Sequence, residues 1–249
     1  MSEASPVATG FAVSEFSVGR TLQRATGVLL RNFLSFVSLS AIALLPLFLY
    51  LWYMLMRPSA SAAAISIVIM ILMIMALGSI CQAIILYGAF QDLRGRPVNA
   101  PASLRKGLAR ALPLLGLSVM NGVATLIGFL LLVVPGLVVM SILFASIPAC
   151  VVEGRGPIKS WVRSAHLTKG YRWRLFGLAL CLWVLSQLVS KFLGYVALEA
   201  GGIFVSVAVI CFWQALFAAY QATVVAVAYY ELRLVKEGVD LNYIAAVFD

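Results

Sequence analysis

"ALPLLGLSVMNGVATLIGFLLLVVPGLVVMSILFASIPACVV", residues 111–152, runs for 42 residues without one charged side chain. An α-helix crosses the hydrocarbon core of a bilayer in about 20 residues, so this stretch holds two crossings. Pro135-Gly136 divides it: proline cannot continue the hydrogen-bond ladder and glycine permits a tight turn. The expected turn, "LLLVVPGLVV", is itself apolar, so the hairpin either spans fully or ends within the bilayer, shielded by its neighbours. Both of its ends then return to one side.

Working outward, comparable apolar runs occur at 34–56, 62–89, 175–197 and 203–229, and with 111–134 and 136–152 they make six. The whole chain of 249 residues is 63% hydrophobic and 11% charged, with a mean hydropathy of +1.04. These values exclude an ordinary water-soluble domain. The runs are continuous rather than alternating, which argues against a β-barrel. The expectation is an all-α polytopic membrane protein with six transmembrane helices. Residues 1–14 read as a disordered tail without a cleaved signal peptide, and 15–249 as a single membrane domain.

The net charge of +9 is decided by position. Sixteen Lys and Arg residues precede the first run, follow the sixth, or lie between the second and third or the fourth and fifth; Arg57 and Lys191 alone fall on the other side. This positive-inside bias predicts cytoplasmic N- and C-termini, and anionic lipid explains the excess without nucleic acid.

Three basic segments lead into the hairpins. Val18, Leu22, Ala25 and Leu29 oppose Arg20, Arg24 and Arg31; Leu104, Leu108 and Ala111 oppose Lys106 and Arg110; Ile158, Trp161, Val162 and Ala165 form a third stripe. Each is expected to be an amphipathic helix lying in the interface. "VGRTLQR" (18–24), "NAPASLR" (99–105) and "PIKSWVR" (157–163) superpose loosely, which suggests three repeats of interfacial helix plus transmembrane hairpin. Pro46 and Pro148 are expected to kink their spans. Gly238 suits a helix C-terminus, and Asp240 suits the cap of a last short turn.

Chemistry is sparse. Cys81, Cys150, Cys181 and Cys211 lack metal-ligand or disulfide spacing and read as packing residues with free thiols, so no metal is expected. His166 stands without a second histidine, and no nucleophile, phosphate-loop or paired-carboxylate motif is present, so neither catalytic residues nor cofactors are expected. Lys191 is placed to snorkel at the outer surface. Asn121, Gln187 and Gln214 fall near the midplane, with Gln82 also deep, either lining a polar path or bonding between helices. Gly116, Gly122, Gly128, Ser141 and Ala145 suit close helix packing. In "KSWVRSAHLTKGYRWRLF" (159–176), Arg163, Lys169, Arg172, Arg174 and Trp173 are the candidates for binding anionic lipid or a partner protein.

Three blocks, "LLLVVPGL" (130–137), "VEGRGPIKSWVRSAHLTKGYRWRLFGL" (152–178) and "YYELRLVKEGVDL" (229–241), resemble the membrane domain found attached to some bacterial glycerophosphoryl diester phosphodiesterases and as stand-alone uncharacterised inner-membrane proteins. The resemblance implies a helical bundle in the bacterial cytoplasmic membrane. It does not carry catalysis, because the phosphodiesterase domain depends on metal-binding histidines and carboxylates that a single histidine cannot supply. The expected role is non-enzymatic, binding anionic membrane lipid or a cytoplasmic partner. A small transporter or flippase is the alternative.

Overall fold

The structure is a computed structural model that describes residues 16–56, 63–154 and 156–238. The expected N-terminal tail, Arg57 and the turn capped by Asp240 lie outside the described residues. Among the described residues there are nine helices and no strand: α1 (Val18–Arg31), α2 (Phe33–Met56), α3 (Ala63–Leu93), α4 (Ala100–Ala109), α5 (Ala111–Leu131), α6 (Val133–Leu143), α7 (Ser146–Glu153), α8 (Pro157–Thr168) and α9 (Arg172–Glu237). Five helices are long and apolar enough to cross a membrane: α2, Ile65–Leu93 of α3, α5, the Val133–Glu153 run through α6 and α7, and α9.

The last of these is two arms. Gly202 has φ 75° and ψ −171°, a backbone state open only to glycine. The chain folds back there, so that the Ser206 hydroxyl donates to the Gly194 carbonyl at 2.9 Å. Gly238 ends the helix in the left-handed state, φ 60°, its N–H donating to the Leu234 carbonyl at 3.1 Å.

Between α5 and α6 the turn comes earlier than Pro135-Gly136. Leu132 is the extended residue, φ −173°, and α6 starts at Val133. Pro135 therefore sits in the first turn of α6, where a missing N–H breaks no bond. Gly136 is instead a contact: its Cα would lie 2.9 Å from a Cβ on Gly128, so the two helices touch backbone to backbone. Likewise Pro148 does not kink a continuous helix. The chain breaks at Phe144-Ala145, and Pro148 falls in the first turn of α7. Ser164 of α8 closes that break, donating to the Ile142 carbonyl while its oxygen accepts the Ala145 N–H at 3.1 Å. Through Pro46, by contrast, α2 continues.

The three basic segments are helices α1, α4 and α8, and each meets the following long helix at an elbow: Asn32 (φ −121°, ψ 27°), Arg110 (φ −99°, ψ 6°) and Tyr171 (φ −118°, ψ 8°). The faces they turn to the rest of the protein are separate from the apolar stripes in α4 and α8. In α4 Ser103 and Gly107 are buried and Leu108 is exposed; in α8 Ser160, Ser164, Leu167 and Thr168 are buried, whereas Ile158 and Val162 are 70% and 69% exposed. Small and hydroxyl side chains let backbones approach and bond the preceding turn, which is how helices associate where lipid removes the hydrophobic drive. In α1 the buried residues are Thr21, Ala25, Val28 and Leu29, close to expectation.

Burial is concentrated at one end of the bundle. Twelve consecutive residues of α9, Ala222 to Arg233, are buried, so this part of the helix is enclosed on all sides. Cys81 to Phe90 of α3 run beside it, with the Phe90 and Tyr229 rings edge to edge at 6.4 Å. Ala25 of α1 packs against both arms of α9, beside Leu178, Leu182, Val224 and Val227. Towards the other end the surface is apolar and exposed, as at Ile65, Leu72, Leu126, Leu130, Phe192 and Phe212.

Candidate functional site

The charged residues gather at the enclosed end, and carboxylates tie the short helices to α9. Arg163 of α8 donates from Nε to Glu153 Oε1 at 2.6 Å and pairs through Nη2 with Glu237; Arg233 reaches Glu237 at 3.0 Å, and the Tyr229 hydroxyl donates to Glu153 at 2.9 Å. Burial pulls the Arg163 guanidinium down, but the two carboxylates outweigh it and its pKa is raised above the usual arginine value. On α1, Thr21 donates to buried Glu231 at 2.6 Å and Arg24 lies 3.5 Å from the same carboxylate. Arg31 and Asn32 both hold Asp92 at the end of α3, at 2.6 and 2.7 Å, and that contact raises the Arg31 pKa.

The five candidates in 159–176 are therefore split. Arg163, 16% exposed, is an internal strut between α8 and α9. Arg174 donates to the Phe16 carbonyl at 2.8 Å and stacks over Tyr171, tying α9 to the start of α1. Arg172 is half-buried beside Leu137 and Ser141 of α6. Lys169 is exposed, as is Trp173 at 70%. Exposed Lys159, Ile158, Val162 and His166 share that outer surface, mixing cationic and apolar groups.

The midplane residues do not converge either. Asn121 donates to Ser146 at 2.9 Å and accepts from the Trp161 indole N–H at 2.6 Å, so α5, α7 and α8 are pinned together and Trp161 points inward. Gln187 and Gln214 are half-buried on the two arms of α9. Asn121 lines a cavity of about 580 Å³ with Gln82 and Gln221, and neither Gln187 nor Gln214 reaches it. Lys191 is exposed on the first arm of α9 before the Gly202 turn.

Sequence reasoning missed three features. Glu231 in "YYELRLVKE" stands beyond the predicted span and gave no sign of burial. The Glu153–Arg163–Glu237 link joins residues up to 84 positions apart, which local pattern cannot pair. A pocket of about 300 Å³, lined by Gln91, Arg94, Arg96, Lys106 and Tyr87, gathers basic residues that had been counted only for topology. Among the described residues no three His, Cys, Asp or Glu side chains come together, and the four cysteines are free thiols.

No curated protein and no solved structure matches the chain. A family profile described as "Domain of unknown function (DUF7847)" matches residues 101–232, just over half of the chain. The match takes in α4 to α8, most of α9, the two sequence blocks at 130–137 and 152–178, the Asn121 contacts and the Arg163–Glu153 pair, while Glu237 lies beyond it. It carries no link to phosphodiesterases. With the elbow at Arg110, the broken hairpin and the enclosed half of α9 all inside the matched region, the chain belongs to the DUF7847 family of domains of unknown function.

Proposed function

We propose that this is a non-enzymatic, multi-pass protein of the bacterial cytoplasmic membrane. In this reading six helices enter the bilayer, the two arms of α9 counting separately and the α5–α6 hairpin ending inside it, and both termini are cytoplasmic. Each of α1, α4 and α8 begins one repeat of short helix plus hairpin, and the resemblance to the phosphodiesterase-linked membrane domain is part of the same proposal. The enclosed, cationic end binds anionic lipid headgroups. The observation that carries this is the outer surface of α8 and the start of α9, where Lys159 and Lys169 stand beside exposed Ile158, Val162 and Trp173. Apolar groups next to free-standing cations suit the boundary between acyl chains and headgroups.

The test uses protein reconstituted in nanodiscs with equal phosphatidylglycerol and phosphatidylcholine, the retained lipids being counted by native mass spectrometry. Lys159→Gln and Lys169→Gln leave Arg163 and its carboxylates intact, and at about 1 kcal/mol per cation each should cut anionic-lipid preference about fivefold. Unchanged preference would remove the lipid reading and leave a cytoplasmic protein partner. A second reading, transport or flipping of a small amphiphile, is supported by the cavity beside Asn121. No acid or base lines that cavity, so ion coupling has no residue to act through.

A further inference from the structure

The cavity of about 580 Å³ lies between α3, the α5–α6 hairpin and the two arms of α9, a volume within the range of about 300–1,000 Å³ usual for small-molecule sites. Its wall is of two kinds. Gln82, Thr125 and Gln221 face it and have no side-chain hydrogen-bond partner among the described residues. Asn121, also in the wall, is held by Ser146 and Trp161. Ser141 donates to the Leu137 carbonyl at 2.9 Å, the remainder is apolar, and four of the lining residues, Phe129, Met140, Leu180 and Trp183, are 40–60% exposed. They lie on α5, α6 and the first arm of α9, and their exposure marks the side from which an occupant could enter.

Gln82 and Thr125 are half-buried and Gln221 is exposed; against hydrocarbon rather than water, each unmet polar group would cost about 1–3 kcal/mol. An occupant that meets them must bring hydrogen-bonding atoms, and one that enters through Phe129, Met140, Leu180 and Trp183 must be apolar along its length. It must also be uncharged where it meets the wall, since no ionisable side chain lines the cavity to offset a buried charge.

We propose that this cavity is a lipid site, taking the glycerol-ester head and one acyl chain of an uncharged diacylglycerol-type lipid from the bilayer. Gln82, Thr125 and Gln221 bond the ester carbonyls and the hydroxyl, and the chain lies along Phe129, Leu137, Leu180 and Trp183. The proposal rests on the membrane placement given above, but not on the binding of anionic headgroups at α8.

The experiment uses the full chain in phosphatidylcholine nanodiscs doped with diacylglycerol that carries a diazirine in one acyl chain. After illumination the adducts are mapped by mass spectrometry. Labelling at Phe129, Met140, Leu180 and Trp183 should exceed that at Leu49 and Ile69, exposed apolar positions on α2 and α3, by about fivefold, the worth of one retained hydrogen bond of ~1 kcal/mol. Gln82→Leu with Gln221→Leu should lower the cavity labelling about tenfold and leave Leu49 and Ile69 unchanged. Ala179→Trp, which fills the cavity, should do the same, and thermal melts of each variant show whether it has folded. Unlabelled diacylglycerol should compete, while hexadecane and phosphatidylglycerol should not.

Even labelling of all exposed apolar positions overturns the lipid site while leaving the membrane placement standing. Equal competition by hexadecane overturns the role of the amides, and equal competition by phosphatidylglycerol overturns the preference for an uncharged head. No labelling at any position, Leu49 and Ile69 included, overturns the membrane placement itself.

Discussion

Arg163 and Arg31 both pair with carboxylates, yet their surroundings assign them different weight. Arg163 meets Glu153 and Glu237 where all three side chains are mostly shielded, and it joins elements far apart in the chain. Arg31 is 63% exposed beside Asp92. Breaking a buried pair costs about 3–5 kcal/mol because a charge is left without its partner. With the Arg163 cluster partly wet, about 2–3 kcal/mol is expected for Arg163→Gln, against at most about 1 kcal/mol for Arg31→Gln. In thermal melts of detergent-solubilised protein this is a fall of roughly 5–10 °C for the first and at most about 4 °C for the second. Equal shifts would show that the Glu153–Arg163–Glu237 contact is ornamental. Since the Arg163 pKa is raised, its share of stability is complete below the ordinary arginine pKa and lost only in strong base, so it contributes no pH dependence near neutrality.

Among the elements, α4 shows most plainly what holds short helices to long ones. A Cβ on Gly107 would stand 3.0 Å from the Ile84 Cα and 3.1 Å from its backbone nitrogen, so only glycine lets α4 lie directly on α3. Gly177, within α9, has open space where its Cβ would be. Gly107→Ala should destabilise by about 1–3 kcal/mol through overpacking, whereas Gly177→Ala should be neutral or stabilise by up to ~1 kcal/mol through helix propensity. Chemical denaturation followed by circular dichroism reads both, and a neutral Gly107→Ala would mean that α4 is not seated there. The same contact marks how far the sequence could be read. Element type was legible almost everywhere: the run lengths set α2, α3 and α5, and the basic segments at 18, 100 and 157 are helices. Facing was only partly legible: the large apolar stripes mark the expected interfacial face but do not say which residues meet the neighbouring helices. Ser103-Gly107 and Ser160-Ser164-Thr168, at four-residue spacing, carried the inward signal instead. The turn before α6 falls at Leu132 rather than at Pro135 because proline, three residues into a helix, interrupts no hydrogen bond. At the candidate site Asn121 was legible as a buried amide, while its partners Ser146 and Trp161 needed the folded chain.

Across the whole molecule the two ends differ in kind, one enclosed and ion-paired, the other apolar and bare, and this polarity makes a testable statement about depth. Arg105 and Lys169 are exposed at the enclosed end, Lys191 is exposed towards the Gly202 turn, and Leu130 to Val134 form the exposed tip of the α5–α6 hairpin. Putting those five apolar side chains in water would cost on the order of 1 kcal/mol each, so the tip is expected to stay in hydrocarbon although α5, at about 31 Å, is long enough to reach the far boundary. Single cysteines at Arg105, Lys169, Leu132 and Lys191, in a chain with Cys181 and Cys211 changed to alanine, separate these depths. A membrane-impermeant maleimide added to intact cells should label Lys191→Cys alone. Lysis should add Arg105→Cys and Lys169→Cys but not Leu132→Cys. Labelling of Leu132→Cys in intact cells would place the hairpin tip in external water, and labelling of Arg105→Cys before lysis would put the basic residues on both faces, which one enclosed cationic end does not allow.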